Sequence, residues 1–233
     1  MTHNLDLIRN YHSLVIHSTD DSFGFGYRKN NESDEFLIKK FDNDLCNNLI
    51  DECYKFISKK NLQKLNKISV SIGPANFNAS RLVVVLARTI SQQINCPLDS
   101  FSSFEIMAKR IASKNNIFIN KQSFWIYKKL KRKGFIAGKY EISHGEENTT
   151  DLVIREKVTP KVVKELESKE LFFEAIFDDK EDLKELLNLS NKNLLKSFIK
   201  LLHKSLSNFF IKNSSNSRLL FFLYPKPKEL SVL

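Results

Sequence analysis

The feature that most narrows what this chain can fold into is an unbroken apolar run, Leu82 to Ala87 (LVVVLA). It lies inside a helical stretch from about Ala79 to Ile94. A helix that is apolar around nearly its whole circumference has no face to give to water and must be covered on both sides. The alternating strand Lys67 to Ile72 (KISVSI) leads into it through the Gly73-Pro74 turn. The expected arrangement is therefore a helix on a sheet, with a second cover on its other side.

The preceding residues supply the sheet. Ser13 to His17 (SLVIH) is short and mostly apolar, as a buried central strand is. Ser22 to Arg28 (SFGFGYR) alternates, with Phe23, Phe25 and Tyr27 on one face and Gly24 and Gly26 on the other. Thr19-Asp20-Asp21 between them is turn chemistry, so the two read as a hairpin. Glu35 to Lys40 is a third strand. Asp42 is a candidate N-cap for a helix running to about Lys59. Cys96 to Asp99 reads as a short strand, and Ser102 or Ser103 caps a further helix through Ile111. Three closely connected strands followed by strand–helix crossovers make an α/β mixed sheet flanked by helices. Ribonuclease-H-like and actin-like ATPase lobes have this order.

The second half is less regular. Phe124 to Leu130 and Phe135 to Ile142 read as strands around Lys131 to Gly134, and His144 to Thr150 as a polar loop. Glu181 to about Phe210 carries leucines at helical spacing, with a break near Leu189-Ser190-Asn191. Leu219 to Tyr224 is a late strand candidate stopped by Pro225 and Pro227. Two lobes are expected, residues 1–112 and a degenerate second lobe, 113–233.

The net charge of +10 admits a polyanion partner, but the lysine excess is spread over the chain, so the stronger reading is general composition. Three cysteines without CxxC spacing argue against a zinc site and for a reducing compartment. No apolar run is long enough to span a bilayer, and MTHNLDLIRNYH is not a signal peptide. A cytoplasmic protein with no membrane contact is expected. Cys46 and Cys53 are expected as small packing residues and Trp125 as a core residue.

Ser69 to Arg81, SVSIGPANFNASR, resembles the strand–loop–helix signature of TsaB proteins, approximately GPGSFTGLR. Gly73, Pro74, Phe77 and Arg81 match in place, whereas Ala75, Asn76, Asn78, Ala79 and Ser80 depart. LVIHST, Leu14 to Thr19, resembles the family's first strand and turn, with His17 in place of an Asp. Pro97-Leu98, Ser102 to Glu105, and Lys133 to Tyr140 resemble later elements. The resemblance implies a two-lobed actin-like ATPase fold. It also implies a non-catalytic subunit that pairs with a TsaD-type catalytic paralogue, which threonylcarbamoylates adenosine 37 of tRNA. A TsaE-type ATPase would join the assembly, and a homodimer is a candidate state of the isolated chain. No cofactor is expected on this chain alone. ATP and metal would belong to the partner subunits, and tRNA would be reached through the complex.

The residue chemistry leads to the same expectation. A phosphate-binding turn wants an acidic residue for metal and small glycines for close approach. Here His17, Ser18, Gly73, Pro74, Phe77 and Arg81 make a degenerate phosphate loop, with Ala75 and Ala79 where glycine would permit close approach. Arg81 also reads as a residue that solvates the first turn of its helix. The partner interface is expected on an uncovered stripe of Leu45, Leu49, Cys53 and Phe56 on the first helix and Val83, Ala87 and Ile90 on the second. The basic cluster Lys128 to Lys133 reads as a solvated hairpin tip, with Lys131, Arg132 and Lys133 as candidate RNA contacts. Two rival functions remain. One is an actin-like-fold ATP-binding enzyme, kinase or peptidase-like, using Asp20 and Asp21. The other is a stand-alone RNA-binding protein.

Overall fold

In the computed structural model, which describes residues 11–30, 32–41, 45–114, 123–130, 134–144, 152–166 and 170–191, the N-terminal strand candidates pair as a sheet. β1 (His12–Ser18) is antiparallel to β2 (Ser22–Lys29), and β2 to β3 (Glu35–Lys40). β1 is parallel to β4 (Lys67–Ser71), and β4 to β5 (Leu98–Phe101), giving the order β3-β2-β1-β4-β5. β1 is central and buried along its whole length, with the apolar Leu14, Val15 and Ile16 at its middle and His12, Ser13, His17 and Ser18 buried at its ends.

The two faces of β2 decide what packs on each side. Phe23, Phe25 and Tyr27 join Leu14, Ile16, Ile68 and Val70 under α1 (Leu45–Phe56), α2 (Lys59–Leu62) and α3 (Phe77–Ile94). On the other face lies α5, residues 179–191. Its Leu183, Leu186 and Leu187 are fully buried with Val15, Phe101 and Ile106. A Cβ on Gly24 would come 2.7 Å from Leu183 Cδ1, and one on Gly26 2.8 Å from Val15 Cγ2 and 3.3 Å from Leu187 Cδ1. The glycines are therefore the space that lets α5 lie on the sheet.

Helix boundaries follow from local chemistry. The first helix does not run on to Lys59. Ser58 is extended, at ψ 149, and its side chain caps α2 by accepting from Asn61 N. α3 begins at an Asn76 N-cap and ends at Asn95, which is left-handed at φ 52. Its sheet-facing line is Ala79, Val83, Ala87 and Ile90, and α1 packs along one flank, so the expected second cover is partial and Phe77 and Val85 stay exposed.

The second sheet has the order β8-β7-β6-β9. β6 (Ser123–Lys129) is antiparallel to β7 (Phe135–His144), β7 to β8 (Leu152–Val163), and β6 is parallel to β9 (Phe172–Glu174). α4 (Ser103–Lys114) covers one face, packing Phe104, Met107, Ala108 and Ala112 on Phe124, Ile126, Tyr140 and Ile142. α4 thus crosses the expected lobe boundary and serves the second sheet, while α5 returns to the first. All these elements lie in one compact unit, Met1–Asn191. The expected loop at 145–150, the helix beyond 191 and the strand at 219–224 lie outside the described residues. No helix among the described residues is long and apolar enough to cross a membrane.

Candidate functional site

In open α/β sheets ligands bind outside the carboxyl ends of parallel strands. Here those ends belong to β1, β4 and β5, and they bring together His17, Ser18 and the loop from Ile72 to Asn76. Gly73 holds φ at +89, a conformation that L side chains rarely adopt, and its bond to Pro74 is cis.

Many of the donors that could cradle a phosphate in these turns are spent within the chain. Ser18 N donates to Ser71 Oγ at 3.2 Å, Thr19 N to Ser22 O at 2.8 Å, and Asn76 N to Thr19 O at 3.2 Å. At the start of α3, Asn78 N and Ala79 N both donate to Asn76 Oδ1, at 3.1 and 3.2 Å. At the start of α4, Ser103 N donates to Gly73 O and Phe104 N to Ser102 Oγ. Both helix N-termini, the usual anion sites of such a fold, carry their own caps.

The acidic residues of the first turn are engaged as well. Asp20 is ion-paired with Lys128 of β6, and Asp21 Oδ1 accepts from Thr19 Oγ1 at 3.3 Å. Among the described residues no group of three or more His, Cys, Asp or Glu side chains could hold a metal ion.

His17 is 2% exposed and points to the α5 side of the sheet, with Nε2 3.9 Å from Asp182 Oδ2 and the Phe177 ring 6.3 Å away. Neither ring nitrogen has a hydrogen-bond partner. Burial pushes the imidazole down to about 4, and the Arg110 cation adds to this. Asp182 is held by Arg110 Nε at 2.8 Å and by Asp178 N at 2.9 Å. Burial raises its carboxyl to about 6, against the pull of Arg110. At neutral pH His17 is therefore a neutral ring beside an Asp182–Arg110 ion pair. It is built into the packing of α4 and α5 rather than presented to a ligand.

No family model and no curated protein matches this sequence. Solved structures do. YeaZ from Pseudomonas aeruginosa superimposes with a TM-score of 0.59 at 11% sequence identity, covering 78% of this chain and 93% of that chain. The fold is that of YeaZ. A second structure, an uncharacterized protein with similarity to the peptidase YeaZ from Pseudomonas aeruginosa, gives a TM-score of 0.60 at 11% identity, covering 78% and 93% of the two chains. The architecture shared with these structures is two mixed sheets flanked by helices.

Within this YeaZ fold the stripe expected to be uncovered is not. Leu49 and Cys53 are each 2% exposed, and Val83, Ala87 and Ile90 are buried with them against the first sheet. Phe56 stacks on Phe25 at 5.9 Å and is partly buried. The burial of this stripe has a simple cause. Leu49, Cys53, Phe56 and Ile57 form the longest apolar line at helical spacing, and that line is the one a sheet face takes. The outward apolar residues lie one position away on α1, Ile50 (48% exposed) and Tyr54 (60%), and on α3 at Phe77 (69%) and Val85 (60%). Phe77, expected in the loop, stands on this outer face with Arg81, which is exposed near the start of α3 as its solvating reading expects, and the guanidinium lies 4.4 Å from the ring centroid. The side chain of Leu45, and Lys131, Arg132 and Lys133, lie outside the described residues. Trp125 is not in the core. It is partly exposed on the side of the second sheet away from α4, stacked on Phe172 at 6.2 Å.

Proposed function

We propose that this chain is a non-catalytic subunit that holds a TsaD-type catalytic paralogue in the threonylcarbamoylation of adenosine 37 of tRNA, in the cytoplasm. The observation that carries the reading is the closure of the candidate phosphate site. Seven backbone donors there, those of Ser18, Thr19, Asn76, Asn78, Ala79, Ser103 and Phe104, are satisfied by Ser71, Ser22, Thr19, Asn76, Gly73 and Ser102. A site whose donors are already bonded gains little from a phosphate, because each new bond replaces an existing one. ATP and metal then belong to the catalytic partner and to a TsaE-type ATPase. The YeaZ fold and the resemblance of Gly73, Pro74, Phe77 and Arg81 to the TsaB signature support the same subunit role.

The partner surface in this reading is the outer face of α1 and α3, where Ile50, Tyr54, Phe77 and Val85 are exposed. The test is co-expression with the catalytic paralogue from the same cell, followed by size-exclusion chromatography. A heterodimer is expected, and Tyr54→Ala should weaken it by about 2 kcal/mol, roughly thirtyfold in Kd. Val85→Glu should abolish it while the monomer stays folded by circular dichroism. Calorimetry of the isolated chain with magnesium and ATP should give no saturable heat. Tight saturable ATP binding, or a heterodimer indifferent to both substitutions, would remove this function.

A further inference from the structure

The second sheet offers a surface that the scaffold reading does not use. α4 covers one face of it, and no helix among the described residues packs on the other. The strand registers place that face's side chains in rows. Phe172, Trp125, Lys139 and Val158 form one row, Glu174, Tyr127, Ala137 and Lys161 the next, and Lys129, Phe135 and Val163 a third. The four aromatic rings form a continuous chain of contacts. Trp125 stacks on Phe172 at 6.2 Å and 17°, and Tyr127 meets Phe135 and Phe172 edge-on at 5.8 and 6.3 Å. Lys139 Nζ sits 5.7 Å from the Trp125 ring centroid. Lys129, Arg155 and Lys161 are exposed around the rings.

Rings interleaved with flexible cations suit one class of partner. Every nucleic-acid base has a π-face that stacks on an aromatic side chain, and the phosphates between bases are met by lysine and arginine. An apolar protein surface fits less well, because docking it would bury the lysines without partners. We propose that this face binds single-stranded nucleic acid. Bases would stack on Trp125, Tyr127 and Phe135, and phosphates would be met by Lys129, Lys139, Lys161 and Arg155. The carboxylates on or beside the face are Glu141, which pairs with Lys157 at 3.1 Å, Glu174, and Glu170. Glu170 bonds both Lys139 Nζ and Trp125 Nε1, so it is the group that an incoming phosphate displaces.

Trp125 is the chain's single tryptophan, so its emission reports on this face alone. The experiment titrates the isolated 233-residue chain with a short oligothymidylate at low salt and follows that emission. Saturable quenching is expected, weakening as salt rises with a log–log slope of about −0.7 per phosphate contacted. Lys139→Glu and Tyr127→Ala should each weaken it roughly tenfold, and Glu170→Gln should strengthen it. A duplex of the same length, whose bases are not free to stack, should leave the emission nearly unchanged. The proposal is overturned by unaltered emission, by quenching that the duplex matches, or by quenching that Lys139→Glu leaves intact. It is also overturned if iodide fails to reach Trp125, since the face is then covered. If Tyr127→Ala unfolds the chain, Lys139→Glu with Lys161→Glu tests the same surface through exposed or partly exposed side chains. No partner subunit enters the assay, so its failure leaves the heterodimer reading standing.

Discussion

His17 and Asp182 are both buried, and their proton affinities are displaced in opposite directions. Folded His17 titrates at about 4 instead of 6.5, so between those values the unfolded chain binds more protons. The stability tied to this group is complete above about 6.5 and is lost as pH falls toward 4. Folded Asp182 titrates at about 6 instead of 3.8, so the folded chain binds more protons in that range. Ionising it costs stability above about 6, and the cost is relieved as pH falls toward 3.8. The two slopes oppose each other over nearly the same window, so single substitutions should unmask each. Asp182→Asn should make stability fall more steeply on acidification from about pH 6.5 to 4, and His17→Gln should make it flatter or reverse it. Urea midpoints at several pH values check this, and parallel profiles for the two variants would refute it. At Gly24, alanine would place a Cβ 2.7 Å from the fully buried Leu183. Gly24→Ala should lower stability by about 1–3 kcal/mol, and adding Leu183→Ala should not lower it by the full cost of a second, independent lesion. The alternation of Phe23, Phe25 and Tyr27 with Gly24 and Gly26 shows in the sequence. What fills the glycine side does not, because it arrives from residues 179–191.

Among the elements, α3 carries two apolar lines that differ only in direction, and they should respond oppositely to charge. Val83 is 1% exposed and Val85 is 60% exposed. Val83→Asp strands a carboxylate in the core and should unfold the chain or cost several kcal/mol, whereas Val85→Asp should leave the thermal midpoint within a few degrees. Equal effects would mean that α3 is covered on both sides. Sequence alone could not set this phase, because Leu82 to Ala87 has no polar residue to mark a water side. The strands up to β7 were legible for the opposite reason. Most are bounded by turn residues and carry an apolar run or an alternation; β5 does neither, and it forms over Leu98–Phe101, two residues past the expected Cys96 to Asp99. β8 was not legible, since Arg155, Glu156 and Lys157 interrupt its apolar residues and Pro160 falls within it. An edge strand tolerates that proline, and the register shift near Lys139 breaks the period a reader would count. β9 is only Phe172–Glu174, too short to announce itself, and it forms because β6 offers it an open edge. At the candidate site, the type of loop was readable from Gly73-Pro74. The placement of Phe77 inside the helix was not, because it depends on where Asn76 caps it, whereas the solvated position of Arg81 was.

At the scale of the molecule, the two sheets are tied by helices that sit apart in sequence. α4 leaves the first sheet to serve the second, and α5 comes back to cover Val15 and Phe101. The ties include Arg110 of α4 to Asp182 of α5 and Ser22 Oγ of β2 to Asp179 Oδ1 at 2.7 Å. A chain truncated before residue 179 should keep its strand content but expose the glycine side of the first sheet. It should then bind a hydrophobic dye and lose cooperative unfolding, and a sharp two-state transition in that fragment would contradict this account. The return of α5 also bears on birth at the ribosome. The five strands of the first sheet are all translated by Phe101, yet the residues that cover half of it emerge only after the whole second sheet has been made. At roughly 5–20 residues per second that interval is on the order of ten seconds. Through it the nascent chain carries a half-dressed sheet, and a chaperone that holds exposed apolar surface has its natural target on the glycine side of β2.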